Sequence, residues 1–137
     1  MARVLIIDDD APTRDVLRQL FNREGYETVE AGNGREGVQC SRAASMDVII
    51  LDMLLPEQTG LDVIRELRKV DPAVPIIAIS GYGNTGPVDF LRVAEACGVQ
   101  RTFQKPFRLR ELLKAVHDLT QGKDAGAPSA SPRLKCP

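Results

Sequence analysis

Few cysteines, a single histidine, almost no net charge and no long apolar run characterise this sequence, and each shortage excludes a class of protein. Cys40, Cys97 and Cys136 are odd in number and far apart. That spacing argues against a disulfide framework or a zinc site and suits a cytoplasmic protein. His117 has no carboxylate or cysteine at ligand spacing, so it reads as a surface or boundary residue. A formal net charge of −1 removes any general attraction to nucleic acid or anionic membrane. No apolar stretch has membrane-spanning length, and no signal peptide is expected. The remainder is ordinary for one domain: 137 residues, 43% hydrophobic and 27% charged. Such a chain can bury a core without metal or disulfide.

Short apolar runs recur at Val4–Ile7, Val48–Leu51 and Val74–Ile79. They are rich in Val and Ile and do not alternate, as expected of strands buried on both faces. Tyr26–Ala31 and Thr102–Gln104 are weaker strand candidates. Helical spacing lies between them. Thr13–Glu24 places Val16, Leu17, Leu20 and Phe21 on one face, after Asp10 and Pro12 as start signals and before Gly25 as a stop. Gly34–Ala44, Gln58–Val70, Pro87–Ala96 and Leu109–Leu119 complete the set. A βα unit repeated five times implies a parallel sheet covered on both sides. After Gly122 the composition shifts to Gly, Ala, Ser and Pro. Residues 1–121 are therefore expected to form the domain, and 122–137 a flexible tail or the start of a linker.

Open parallel sheets bind ligands beyond the C-terminal ends of their strands. Here those ends carry Asp8 and Asp9, then Asp52, then Ser80, then Lys105. Each has a plain structural explanation on its own, as cap, turn residue or surface lysine. Together at one edge they make an acidic cluster with one hydroxyl and one ammonium. Oxygen donors without nitrogen or sulfur suit a hard divalent cation such as Mg²⁺. A carboxylate nucleophile beside such a cation and a lysine has the parts for phosphoryl transfer.

The stretches Val4–Asp10, Asp52–Pro56 with Gly60, Ile79–Gly81 and Lys105–Phe107 resemble the receiver domains of bacterial two-component response regulators. The resemblance covers about residues 3–121, in order. It implies a flavodoxin-like (βα)5 fold with strand order 2-1-3-4-5, helices on both faces, and a signalling switch rather than a classical enzyme. Asp52 then corresponds to the phosphoacceptor. Asp9, with Asp52 and the Leu54 backbone carbonyl, corresponds to the direct Mg²⁺ ligands, and Asp8 acts directly or through water. Lys105 corresponds to the phosphoryl-pairing lysine, Ser80 to the switch hydroxyl and Pro106 to a cis proline. The implied partner is a sensor histidine kinase or a histidine phosphotransfer protein, with no direct contact to nucleic acid or membrane. Asp10 has no family role and is expected to cap the first helix.

Three departures stand out. Thr102 occupies the position of the usual aromatic switch residue, and Phe103 beside it points to the other face. The Gly81–Pro87 segment is longer than the family pattern. Leu54 has no polar group to orient water, which predicts slow loss of a phosphoryl group. Two rival readings carry testable differences. A pseudo-receiver acting only as an interaction module usually lacks the acceptor or the lysine, and both are present. An aspartyl-phosphate phosphatase of the haloacid-dehalogenase type fits Asp8 and Asp10, but Pro12 takes the place of its Thr or Val and no cap domain fits. A flavin site is disfavoured by the acidic loop after the first strand.

Overall fold

The three continuous apolar runs become the middle of a sheet because both of their faces are covered. The computed structural model describes residues 2–81 and 90–121. The strands are β1 (Arg3–Ile7), β2 (Glu27–Ala31), β3 (Val48–Asp52), β4 (Ile76–Ser80) and β5 (Arg101–Gln104). They pair in parallel in the order β2-β1-β3-β4-β5. The register sets Ile7 beside Leu51 and Asp52 beside Ile79, so the strands end at one edge. Every residue of β3 and β4 is buried, whereas the flanking strands β2 and β5 are more open.

The helices are α1 (Ala11–Arg23), α2 (Gly34–Ala43), α3 (Gly60–Val70), α4 (Phe90–Ala96) and α5 (Leu109–Gln121). Strand alternation divides the core in two. Val4, Ile6, Ile50, Ile77 and Ile79 pack with Leu17 and Phe21 of α1 and Leu112 and Val116 of α5. Leu5, Ile7, Ile49, Leu51 and Ile76 pack with Val38 of α2, Val63, Ile64 and Leu67 of α3, and Ala94 of α4. Cys97 is buried in this second layer and Cys40 packs against it.

Most boundaries fall within a residue or two of expectation, as where α1 begins at Ala11 rather than Thr13, and two of the differences have a local cause. α3 begins at Gly60, not Gln58, because the Thr59 hydroxyl caps it by accepting from the Asp62 amide at 3.2 Å. β4 begins at Ile76: Val74 is buried before it, but Pro75 has no amide to pair. Val16 is 48% exposed although it shares the apolar stripe of α1, whose buried residues are Leu17 and Phe21. Gly60 is required by contact: a Cβ there would come within 2.8 Å of the Met53 Cα. The Tyr82–Pro87 part of the long loop, the start expected for α4 at Pro87, Cys136 and the whole 122–137 tail lie outside the described residues.

Candidate functional site

β1 delivers Asp8 and Asp9 to the sheet edge, and β3 delivers Asp52. One carboxylate oxygen from each lies within 4.8 Å of the others. Asp8 and Asp52 are buried, at 4% and 6% exposure, while Asp9 faces solvent. Lys105 follows β5 and reaches over the cluster. Its Nζ lies 3.5 Å from Asp52 Oδ2 and 3.7 Å from Asp8 Oδ2. The Lys105 amide donates to the Ser80 carbonyl at 2.8 Å, which fixes the lysine at the end of β4. Its peptide bond to Pro106 is cis.

Backbone amides hold the two buried carboxylates in place. The Leu54 amide donates to Asp52 Oδ1 at 2.9 Å, and the Asp10 amide to Asp8 Oδ1 at 2.8 Å. Burial nevertheless pushes both carboxyls above the usual carboxylate range; for Asp52 the neighbouring Asp8 and Asp9 add to the rise. Burial alone would lower Lys105, but Asp52 and Asp8 outweigh it and hold the ammonium above its ordinary value. With one ammonium against three carboxylates, this edge carries excess negative charge.

Ser80 is 1% exposed and donates to the Gly81 carbonyl at 3.3 Å. It stands one residue past the Asp52–Ile79 pair, at the same edge. Asp10 caps α1, accepting from the Thr13 amide at 3.0 Å and also from the Thr13 hydroxyl. Those bonds hold its carboxyl below the usual range. Thr102 pairs with Ala78 in the α2–α3–α4 layer. Phe103 packs in the opposite layer, its ring centroid 5.7 Å from that of Phe107. The alternation expected at β5 is therefore present. His117 is exposed in a groove of about 280 Å³ with Glu24, Tyr26 and Lys114, apart from the acidic cluster.

Sequence reasoning missed Arg14. Its Nη1 donates to the Asp8 carbonyl at 2.6 Å, from the first turn of α1. The only signal was a charged residue on the first helix, six positions after Asp8.

The fold and site together define a doubly wound α/β domain with a carboxylate cluster and a lysine at the C-terminal edge of its sheet. The model of the response regulator receiver domain matches residues 4–117. The chain belongs to that family. It is 34% identical over 120 residues to the chemotaxis protein CheY of Thermotoga maritima, covering 87% of this chain and 98% of that protein. It is 30% identical over 114 residues to sporulation initiation phosphotransferase F of Bacillus subtilis, covering 83% and 90%. The DNA-binding response regulator MtrA of Mycobacterium tuberculosis is 34% identical, but the match covers only 48% of that longer protein. Among solved structures, a receiver domain protein from Clostridium thermocellum superposes with a TM-score of 0.82 at 28% identity, covering 91% of this chain and 98% of that one. No described helix is long and apolar enough to cross a membrane.

Proposed function

We propose that this domain accepts a phosphoryl group on Asp52 from a histidine kinase or histidine phosphotransfer protein, in a Mg²⁺-dependent reaction. The observation that carries the reading is the convergence of Asp8, Asp9 and Asp52 within 4.8 Å, with Lys105 bridging two of them.

The residues fit the ion. Mg²⁺ takes oxygen ligands at about 2.0–2.1 Å, so neighbouring ligands stand roughly 3 Å apart and opposite ones about 4 Å. Small side-chain rotations bring oxygens separated by at most 4.8 Å into that range. The excess negative charge at the edge gives the ion its electrostatic place. Asp9, Asp8, Asp52 and the Leu54 carbonyl would hold it, and it would neutralise charge on the transferring phosphoryl group.

The chain's own groups account for the rest. The Leu54 amide fixes Oδ1 of Asp52, leaving Oδ2 on the Lys105 side as the attacking oxygen. Lys105 neutralises Asp8 and Asp52 beforehand and pairs with a phosphoryl oxygen afterwards. Ser80 exchanges its weak bond to the Gly81 carbonyl for one to the same group. Movement of Ser80 would draw on β4 and the loop after it, and so bias the surface formed by α4, β5 and α5. Residues 1–121 would suffice for this chemistry, with 122–137 as a tail or linker.

Incubation with a small phosphodonor tests the reading. The wild type is expected to gain the mass of one phosphoryl group with Mg²⁺ and none in chelator. Asp52→Asn is expected to gain none in either. Equal labelling of both proteins would overturn the assignment.

A further inference from the structure

The acidic loop is held from behind as well as from within. The Asp8 amide donates to the Ala31 carbonyl at 3.1 Å, tying the loop to β2. The Asp8 carbonyl accepts from Arg14 Nη1 at 2.6 Å. Arg14 Nε in turn lies 3.3 Å from one oxygen of Glu30, and Arg18 Nε lies 3.2 Å from the other. The Arg14 side chain is only 20% exposed. A planar fork thus spans the tips of β1 and β2, with Glu30 as its anchor. The Asp8 carbonyl shares one rigid peptide plane with the Asp9 amide. Fixing that carbonyl therefore fixes where the Asp9 Cα lies, the point from which its side chain leaves the main chain.

We propose that Arg14 is a positioning residue for the divalent-ion site, holding the Asp8–Asp9 peptide so that both carboxylates face Asp52. The inference rests on the Mg²⁺ reading above and names a part of that site outside its ligand set. Charge and position make opposite predictions. A cation beside a cation site repels the ion, so if charge alone mattered, removing Arg14 would tighten binding. If position matters, removal loosens binding despite the lost repulsion.

The test is calorimetric titration of Mg²⁺ into the full chain as wild type, Arg14→Ala and Arg14→Lys, with metal-free melting curves alongside. Both variants are expected to bind roughly tenfold more weakly, the effect typical of losing a partner that orients a metal ligand. Lysine keeps the charge, but its single ammonium cannot hold the carbonyl and Glu30 in the same fork. Phosphorylation by a small phosphodonor should slow in both variants at low Mg²⁺ and return to the wild-type rate at saturating Mg²⁺. Unchanged or tighter binding by Arg14→Ala would overturn the proposal, and so would full recovery by Arg14→Lys. Loss of cooperative melting in both variants would overturn it too, by making the effect one of folding. A wild type that binds no Mg²⁺ would defeat the site reading itself, a result distinct from variants that match a binding wild type.

Discussion

Asp52→Asn should stabilise the metal-free protein. Each of Asp8 and Asp9 has an oxygen within 4.8 Å of one on Asp52. At an effective dielectric of about 20, such a pair repels by about 3 kcal/mol. Asp9 faces solvent, so its share is smaller. Lys105, 3.5 Å away, attracts with about 5 kcal/mol on the same scale, so the charges nearly cancel. Burial of the ionised carboxylate then decides the sign, with a penalty of several kcal/mol. The Leu54 amide offsets part of it, and an Asn side chain can still accept that bond. A net gain of about 1–3 kcal/mol follows, or roughly 3–10 °C in Tm for a domain of this size. The pH dependence has a definite sign. The folded Asp52 carboxyl is raised above its unfolded value, so its favourable contribution is full at low pH and is lost as pH rises through the folded pKa. The advantage of Asn should therefore be largest near neutral pH and shrink on acidification toward the ordinary carboxylate range. Millimolar Mg²⁺ should narrow or reverse it, because only the wild type keeps the full ligand set. Melting curves with chelator and with Mg²⁺ at two pH values provide the assay. An Asn variant that melts below the wild type in chelator at pH 7 would refute the reasoning.

Further predictions concern single positions. Gly60→Ala should destabilise by about 1–3 kcal/mol, because the new Cβ meets the Met53 main chain at 2.8 Å and backbone cannot step aside; denaturant melts measure it. Leu54 is 45% exposed and apolar, so the phosphorylated wild type should lose its group slowly. Leu54→Asn should speed that loss by about tenfold or more, by orienting water, as followed by intact mass over time. Phe21→Ala should remove about 3–5 kcal/mol of stability, since the ring is fully buried and meets Tyr26 edge-on at 5.9 Å; a Tm change under a few degrees would contradict that.

The sequence made the sheet legible because β1, β3 and β4 are continuous Val and Ile runs with charged or polar ends. Those same ends carried the site: once strands are parallel, Asp8, Asp52, Ser80 and Lys105 must share an edge. Asp10 was legible as a cap from its place just before Pro12 and Thr13, although the helix it caps begins at Ala11 rather than at Thr13. Other features depend on how elements turn against one another, which spacing cannot show. The Arg14 contact to Asp8 needs α1 to fold back over the end of β1 while Glu30 arrives from β2. The exposure of Val16 reflects a helix whose buried stripe is narrower than its apolar one. The start of α3 was misplaced because Thr59, a loop residue by pattern, was not weighed as a cap.

A crystal structure grown with Mg²⁺ and beryllofluoride, which mimics an acyl phosphate, tests the central claim most directly. The account predicts the beryllium bonded to Asp52 Oδ2, its fluorines on Lys105 Nζ and Ser80 Oγ, and the metal ion held by Asp9, Asp52 and the Leu54 carbonyl, with Asp8 bound to it directly or through water. Beryllofluoride bound at another carboxylate, or a metal ion with no contact to Asp9, would contradict it.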